Sequence, residues 1–425
     1  MGTSIHTPPK TFAVATLGCR TNQYEAEAFK NQLEGLGYVS AREGEKADLC
    51  IIHTCAVTES AESSSRHAIR SLISRHAGSR VVVTGCLAKK EAAILRQIEG
   101  VTDVIISEER ETIIQTLFPD AKVRPFAIRR FEGHTRAFVK VQDGCNHFCS
   151  YCTVPYLRGP SRSRPMDSIL DEVRALVDSG YQEIVLTGVN IGDYVDGGNT
   201  LSDLILHIDG IRGVKRLRLS SINPNEVDDR LIDIIIHGQS TCPSLHLVLQ
   251  SGSNRILASM RRLYTRELYL EKVNRLRDQC PDCTFTTDVI VGFPGEAEED
   301  FLDTLDIIRR VGFAKVHMFP YSERPQTRAA RFSDKVSPAV IKERKAQVLS
   351  LADSVAFDLR QPFVGRTMDV LTESGEQDGT IEGLTRNGLP VLISSTSLHP
   401  NQCVKVCLHE NTSCALLGTV LEILS

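Results

Sequence analysis

Cys145, Cys149 and Cys152 form the pattern C-x3-C-x2-C, and they directly follow a predicted strand at residues 137–141. Three thiolates on one loop can bind three irons of a cubic [4Fe–4S] cluster. The fourth iron then stays open to a small chelating ligand, which would make the cluster catalytic. Zinc is the alternative, and His147 inside the loop could be offered to it. A structural zinc site, however, usually brings a second ligand pair nearby.

Three further cysteines, Cys19, Cys55 and Cys86, lie far apart in the chain, and each follows the end of a predicted strand. The carboxyl ends of parallel strands meet at one edge of a sheet, where such folds bind ligands, so we expect these thiols to converge. A neighbouring glycine or threonine suits a tight turn out of each strand. The pattern predicts a second cluster with an open iron, although for any one of these cysteines taken singly, burial in the core is the favoured interpretation.

The other seven cysteines are interpreted as structural. Cys50 lies inside a predicted strand. Cys280 and Cys283 have a metal or redox spacing, but they stand between a predicted helix and a strand, which favours a turn. Cysteines without a partner at a useful spacing are Cys242, Cys403, Cys407 and Cys414.

Alternating strands and helices would position both trios. Residues 11–120 show a β-α-β-α-β pattern, which predicts a parallel sheet with helices on its faces. The predicted strands are 12–17, 48–53 and 80–84, and the helices are 25–36, 60–77 and 89–98. A linker over residues 121–135 follows.

Residues 136–360 contain six further strand–helix units, which fit a whole or partial (β/α) barrel. Their predicted strands are 137–141, 183–186, 216–219, 245–249, 285–291 and 315–319, with helices at 168–179, 266–278, 298–311 and 338–359. From residue 362 onwards, short apolar runs alternate with turn signals such as Ser374-Gly375 and Asn387-Gly388. This predicts a small all-β barrel with strands at 367–371, 380–382, 391–394, 404–408 and 415–420.

Composition excludes several classes of protein. The 425 residues are 41% hydrophobic and 24% charged with a net charge of −4, which excludes a disordered or collagen-like chain. No apolar run approaches the length of a membrane span, and the first ten residues lack the apolar core of a signal peptide. Thirteen cysteines without an export signal make a disulfide framework improbable. We therefore expect a cytoplasmic protein with no membrane partner.

The residues resemble those of the radical S-adenosylmethionine (SAM) methylthiotransferase family almost from end to end. The motifs that carry the resemblance are residues 16–25 (TLGCRTNQYE), 53–58 (HTCAVT), 84–86 (TGC), the C-x3-C-x2-C loop, 154–159 (VPYLRG), 249–253 (LQSGS), 287–296 (TDVIVGFPGE) and 319–322 (FPYS).

The resemblance implies an α/β chain with three domains, at 10–121, 131–360 and 362–425. These would be a flavodoxin-like parallel-sheet domain, a partial radical SAM barrel and a small all-β TRAM barrel. It also implies two [4Fe–4S] clusters: one on Cys145, Cys149 and Cys152 with SAM on its open iron, the other on Cys19, Cys55 and Cys86 with the sulfur to be transferred.

In the family, one SAM is cleaved to a radical that takes hydrogen from an unactivated carbon, and a second SAM supplies the methyl group. No side chain can remove an aromatic hydrogen as a proton, so cofactors must carry this step and no general base is nominated. Expected partners are an electron donor of flavodoxin or ferredoxin type and a sulfur donor.

Four residues are candidates for SAM contact. Gly188, Asn190 and Ser220 follow predicted strands at the barrel end where ligands bind. Tyr151, between two cluster ligands, would lie near the adenine. Ordinary turn residues after strands, and simple packing of Tyr151, are the alternatives.

The choice among the substrate branches of the family rests on resemblance alone. The opening Gly18-Cys-Arg-Thr-Asn22 and Ser161 resemble the branch that modifies C2 of N6-threonylcarbamoyladenosine-37 in tRNA. Sister branches act on isopentenyladenosine-37 or on an aspartate of a ribosomal protein. A non-catalytic iron–sulfur RNA-binding or electron-transfer protein is the remaining alternative.

Charge offers one argument for binding the tRNA anticodon stem-loop. Residues 124–164 hold eight Lys/Arg and two acids, which predicts a basic strip for phosphate contacts. The basic residues are Arg124, Arg129, Arg130, Arg136, Lys140, Arg158, Arg162 and Arg164. Residues 362–425, by contrast, hold three Lys/Arg and seven acids, which is unusual for a TRAM barrel.

Overall fold

A computed structural model describes residues 10–106, 110–131, 133–373, 379–394 and 397–424. The chain forms two compact units. The first comprises residues up to Arg130 together with Thr153–Pro160, and the second comprises Phe131–Cys152 and everything from Ser161 onwards. None of the helices in these described ranges has the length and apolarity needed to cross a bilayer.

The first unit is a five-stranded parallel sheet with the strand order β2-β1-β3-β4-β5. Its strands are β1 (Thr11–Thr16), β2 (Val39–Ser40), β3 (Leu49–Thr54), β4 (Arg80–Gly85) and β5 (Asp103–Val104). Its helices are α1 (Arg20–Gly35), α2 (Glu59–Arg75), α3 (Cys86–Leu95), α4 (Ile113–Leu117) and α5 (Val154–Arg158). This is the flavodoxin-like order, and it confirms the expected parallel sheet.

Two helices of this unit begin earlier than predicted. Helix α1 starts directly after Cys19, and α3 starts at Cys86 itself. The polar residues at the start of α1 suggest a loop, but Asn22 is buried and its Nδ2 donates to the Leu17 carbonyl at 2.7 Å. The structure therefore brings a helix N-terminus to each of these two cysteines.

The second unit begins with six parallel strands. They pair in two groups of three, in the orders β6-β9-β12 and β13-β14-β15. Parallel bridges from Leu217 to Thr241 and from Ile222 to Leu247 join the two groups. The strands are β6 (Arg136–Lys140), β9 (Glu183–Thr187), β12 (Arg216–Leu219), β13 (Ser244–His246), β14 (Thr284–Val291) and β15 (Lys315–Pro320). This confirms the expected open barrel of strand–helix units.

Helices and short pairs connect these strands. The helices are α6 (Met166–Asp178), α7 (Leu201–Asp209), α8 (Asp229–His237), α9 (Asn254–Ser259), α10 (Arg266–Gln279), α11 (Glu298–Val311) and α12 (Pro338–Arg360). The two-residue strands are β7 (Gln142–Asp143), β8 (Arg162–Ser163), β10 (Val195–Asp196) and β11 (Asn199–Thr200). Strand β13 is shorter than predicted: beyond His246 the pairing continues only as isolated parallel bridges from Leu247 to Ile222 and from Gln250 to Val289.

A closed five-stranded barrel completes the second unit, as the sequence predicted. Its strands, in the order β16-β17-β18-β20-β19, are β16 (Thr367–Thr372), β17 (Thr380–Thr385), β18 (Pro390–Ser394), β19 (Cys403–Asn411) and β20 (Leu416–Ile423). The expected turn at Asn387-Gly388 is present, with Gly388 at a φ of +80°. The expected turn at Ser374-Gly375 lies outside the described residues.

The small barrel is attached to the amino-terminal ends of the core strands through charged side chains. Arg216, at the start of β12, donates to the carbonyls of Leu384 and Asp369 at 2.7 and 2.9 Å. Arg218 is buried, pairs with Glu183 at 2.9 Å and also donates to the Thr385 carbonyl. Burial alone would raise the pKa of Glu183, but the positive charges of Arg218 and its neighbours have the larger effect. The pKa is therefore lowered, and Glu183 stays ionised.

This attachment predicts a large loss of stability for Arg218→Met. The change leaves the negative charge of Glu183 buried with less positive charge to compensate it. Removing one partner of a buried ion pair costs about 3–5 kcal/mol. Arg174→Met is the matched control, because Arg174 forms an exposed pair with Asp171 worth at most about 1 kcal/mol. Urea unfolding followed by circular dichroism measures both; equal small losses would show that the buried pair does not stabilise the attachment.

Candidate iron–sulfur sites

The thiols of the first unit lie where the strand order of its sheet reverses. Strand β1 lies between β2 and β3, so the carboxyl ends of β1 and β3 border the crevice in which flavodoxin-like folds bind ligands. Cys19 follows β1, Cys55 follows β3 and Cys86 follows β4. The three strands end at the same level, since Thr16 pairs with His53 and Thr54 pairs with Gly85.

Two glycines allow the turns at this edge to approach each other. A Cβ added at Gly18, where φ is +104°, would lie 2.9 Å from both the Cβ and the Sγ of Cys55. A Cβ added at Gly85, where φ is +95°, would lie 2.9 Å from the Nδ1 of His53. Both positions require a residue without a side chain, and Gly18 is required because Cys55 lies against it.

The three thiols are near enough to influence one another. Burial is the main cause that raises the pKa of Cys55 to about 11; Cys86 and Cys19 also act to raise it, and the Val57 N–H acts to lower it. Burial also raises the pKa of Cys86, against which Arg158 and Arg110 act. A cationic ligand at this spot would therefore be needed to hold Cys55 and Cys86 as thiolates.

A buried charge network surrounds these thiols, with the carboxylate of Glu25 at its centre. His53 Nε2 lies 2.7 Å from one carboxylate oxygen of Glu25, and Arg158 Nη1 lies 3.1 Å from the other. Arg158 also donates to Asn22, and Arg110 Nη2 lies 3.9 Å from Cys86 Sγ. Burial lowers the pKa of His53, so its ring is neutral at pH 7 and the two arginines supply the positive charge.

The second unit carries the other trio on the loop after β7. Ser150, inside the loop, anchors it: its N–H donates to the Met260 carbonyl at 3.0 Å, and its hydroxyl donates to the Ser259 carbonyl at 2.8 Å. Cys152 N–H donates to the Cys149 carbonyl at 3.0 Å. Burial, with a smaller effect of the nearby Cys149, raises the pKa of Cys145 to about 11. The loop is thus fixed in a shape that presents three thiols.

Polar side chains converge beside this loop at the carboxyl ends of β9 and β12. The Gln142 side chain accepts from the N–H groups of Val189 and Asn190 at 3.0 and 2.8 Å, and a Cβ at Gly188 would lie 3.0 Å from the Gln142 carbonyl. Asn190 Nδ2 donates to Glu226 at 2.7 Å. Gly188 therefore has a close packing role, and Asn190 lies within the polar set.

His147 faces two carboxylates of the same set. Its Nε2 lies 3.6 Å from an oxygen of Asp193 and 3.6 Å from an oxygen of Glu226. The hydrogen bond to Asp193 raises the pKa of His147. The ligand atoms of the three residues lie within 4.8 Å of one another. The His147 ring therefore faces these carboxylates, which disfavours it as a fourth ligand beside the three cysteines of the loop.

Buried polar atoms without a hydrogen-bond partner among the described residues at these strand ends include Ser220 Oγ, after β12, and Gln250 Oε1, after β13. An unpartnered buried polar atom usually indicates a ligand or a water. Tyr151 packs instead against the apolar cluster of Ile256, Met260 and Phe293. The roles of Gly188, Asn190, Ser220 and Tyr151 in SAM contact stay predictions.

The predicted basic strip is wrong as a continuous surface. Lys140, Arg158 and Arg164 are buried, and they pair with acidic side chains inside the protein. Arg136 pairs with Glu373 at 2.7 Å. The exposed members of the strip are Arg124, Arg129, Arg130 and Arg162. Counting charges over residues 124–164 missed the acidic partners Glu25, Glu172 and Glu373 because they lie outside that segment.

The Cys280–Cys283 pair closes a helix, as the turn interpretation predicted. Cys280 is the C-terminal cap of α10, and the Cys283 N–H donates to its carbonyl at 2.9 Å. Burial raises the pKa of Cys283 to about 12. A turn directly before β14 accounts for the spacing.

Comparisons with known proteins agree with this geometry. Residues 139–308 match the Radical SAM superfamily, and residues 11–107 match Uncharacterized protein family UPF0004. A threonylcarbamoyladenosine tRNA methylthiotransferase, MtaB, of Chlamydia pneumoniae is 48% identical over 85% of this chain and 87% of its own length. The chain belongs to the radical SAM methylthiotransferase family. It is therefore an enzyme of the radical SAM type.

Two other similarities define the breadth of this family and fold. A tRNA-2-methylthio-N(6)-dimethylallyladenosine synthase of Finegoldia magna is 31% identical to this methylthiotransferase over 98% of the chain and 96% of its own length. The solved radical SAM methyltransferase TsrM of Kitasatospora setae has a TM-score of 0.57 at 13% identity, covering 76% of this chain and 74% of its own. The latter shows a shared fold alone.

The close approach of Cys55 to Gly18 leads to a prediction for Gly18→Ala. The new methyl group would collide with Cys55 Sγ and add backbone strain, so iron bound after anaerobic reconstitution should fall by about half. Gly37→Ala is the control, since Gly37 has a similar φ of +84° and an added Cβ would meet no described atom within 4 Å. Full iron content in Gly18→Ala would mean that this turn does not shape an iron site.

Proposed function

We propose that this methylthiotransferase replaces the C2 hydrogen of N6-threonylcarbamoyladenosine-37 in tRNA with a methylthio group, using two [4Fe–4S] clusters. The observation that carries the proposal is the convergence of Cys19, Cys55 and Cys86 at one sheet edge, in addition to the C-x3-C-x2-C loop. Donor sets made of thiols suit iron–sulfur clusters, and the second set has no use in a protein that only cleaves SAM.

The reaction balances with two molecules of SAM and two donors. The C2–H bond of the base breaks, and its hydrogen leaves in 5′-deoxyadenosine. The cleaved SAM also gives methionine. The second SAM supplies the methyl group and leaves as S-adenosylhomocysteine, and the sulfur donor supplies sulfide-level sulfur. A low-potential donor of flavodoxin or ferredoxin type supplies the electron that cleaves SAM, and one electron would return to the iron–sulfur cofactors when the C–S bond forms. A reduced cluster with bound SAM supplies the one-electron cleavage that makes hydrogen removal from an aromatic carbon possible.

The side chains of the second unit orient the cofactor and exclude competing contacts. Ser220 and Gln250 offer unpartnered polar atoms to SAM, and Asn190 presents an amide that is fixed by Glu226. In the first unit, Arg158 and Arg110 favour anionic sulfur at the thiol trio, because they place positive charge where water is excluded.

The choice of base rests on similarity. The 48% identical relative is named for threonylcarbamoyladenosine, whereas the 31% identical relative is named for dimethylallyladenosine. Ser161, which distinguishes the branches in the sequence, accepts a hydrogen bond from Gln142 Nε2 at 2.8 Å, and Gln142 in turn binds the Asn190 backbone. The branch-specific residue thus belongs to the polar set beside the cluster loop.

Mass spectrometry of tRNA nucleosides from a strain lacking this gene tests the substrate. We expect 2-methylthio-N6-threonylcarbamoyladenosine to disappear while the methylthiolated isopentenyladenosine persists. Restoring the gene should restore the missing nucleoside. An unchanged level of it, or loss of the isopentenyl product, would reject the proposed base; unchanged tRNA with an unmodified ribosomal aspartate would indicate the third branch.

Cys19→Ala tests the division of labour between the trios. Reductant-dependent formation of 5′-deoxyadenosine from SAM should remain, because the other trio is intact, whereas methylthiolation should fall at least 100-fold, about 2.7 kcal/mol in barrier. Cys414→Ala is the control, since Cys414 is also exposed but lies in the small barrel. Equal loss of both activities in Cys19→Ala would contradict separate roles.

A further inference from the structure

Arg262 makes a direct contact with a cysteine of the second trio. It lies between α9 and α10, and its Nη1 is 3.1 Å from Cys149 Sγ. A guanidinium N–H is a charged donor, and charged donors make hydrogen bonds about twice as strong as neutral ones. Neither composition nor spacing pointed to this arginine, because more than a hundred residues separate it from the cysteine loop.

The guanidinium is held in this position by its own partners. Its Nε donates to the Tyr264 hydroxyl at 3.0 Å, and its carbon lies 4.8 Å from the centre of the Tyr264 ring. Tyr264 is buried, and its hydroxyl donates to the Leu249 carbonyl at 3.1 Å. The planar fork is therefore pre-oriented towards the sulfur, so little freedom is lost when the contact forms.

A third contact joins Arg262 to the polar set beside the loop. Its Nη2 donates to Asn223 Oδ1. Asn223 Nδ2 in turn donates to Asn190 Oδ1 at 3.1 Å and to Glu226 at 2.9 Å. One side chain thus connects a cluster thiol with the residues that we assign to SAM.

We propose that Arg262 is a positioning residue that raises the reduction potential of the cluster on Cys145, Cys149 and Cys152. This inference rests on the proposed function, since it assumes that this trio binds a [4Fe–4S] cluster. Adding one electron adds negative charge to the cluster and its thiolates. A fixed positive charge and an N–H donor on a ligand sulfur stabilise that reduced form more than the oxidised form.

The electron comes from an external low-potential reductant and goes to the cluster, and no bond to Arg262 forms or breaks. The role of Arg262 is to make this one-electron uptake easier, while Asn223 keeps the neighbouring amides aligned. A merely structural arginine would change stability or iron content and leave the midpoint potential unaltered.

The test is a redox titration of the full chain followed by electron paramagnetic resonance. Replacing Cys19, Cys55 and Cys86 with serine leaves a single cluster site, which is reconstituted anaerobically with iron and sulfide and titrated with dithionite. In that background, R262Q should shift the midpoint to a more negative potential. A tenfold weaker one-electron reduction corresponds to about 59 mV.

R261Q is the matched control, because it removes one positive charge from the adjacent, exposed residue. Its midpoint should equal that of the parent. If R262Q does not retain four irons, R262M takes its place in the titration, and an unchanged midpoint in whichever variant assembles the cluster overturns the inference. Failure of the parent itself to assemble a cluster would instead reject the proposed function.

Discussion

Placing three thiols together, two of them buried, is the constraint on which this structure depends. The buried thiols of Cys55 and Cys86 resist ionisation, as their raised pKa values show. The first unit counters this with two helix N-termini and with the guanidinium groups of Arg158 and Arg110. The cluster proposed for this site would complete the compensation, because metal coordination deprotonates a thiol outright.

Both units use the same geometric rule to place their cysteines. Carboxyl ends of parallel strands converge, so residues distant in sequence become neighbours without any local motif. In the first unit one cysteine follows each of three strands. In the second, the loop after β6 and β7 carries all three, and the ends of β9 and β12 supply the surrounding polar groups. The small barrel is attached at the opposite, amino-terminal ends of the second unit's strands, where Glu183 and Arg216 lie.

Much of this fold was predictable from the sequence. Short apolar runs of strand length identify strands such as β12, and apolar residues that recur with the helical period identify helices such as α11. The convergence of Cys19, Cys55 and Cys86 followed from strand topology.

The charge networks could not be predicted from the sequence, because Glu25 meets Arg158, and Cys149 meets Arg262, only after the chain folds. The sequence did contain weak signals: Asn223-Pro-Asn-Glu226 has the spacing of a capping box, and Glu25 and Arg158 lie within the motifs of the family. The start of α1 was missed because polar residues there are buried by tertiary contacts.

The most direct test of the account is anomalous diffraction at the iron absorption edge, measured on anaerobic crystals of the reconstituted chain. The account predicts two separate groups of iron peaks, one bonded to the sulfur atoms of Cys19, Cys55 and Cys86 and one to those of Cys145, Cys149 and Cys152. One iron in each group should lack a cysteine ligand. Iron at the C-x3-C-x2-C loop alone, with the sulfur atoms of the first trio bonded to no common cluster, would contradict it.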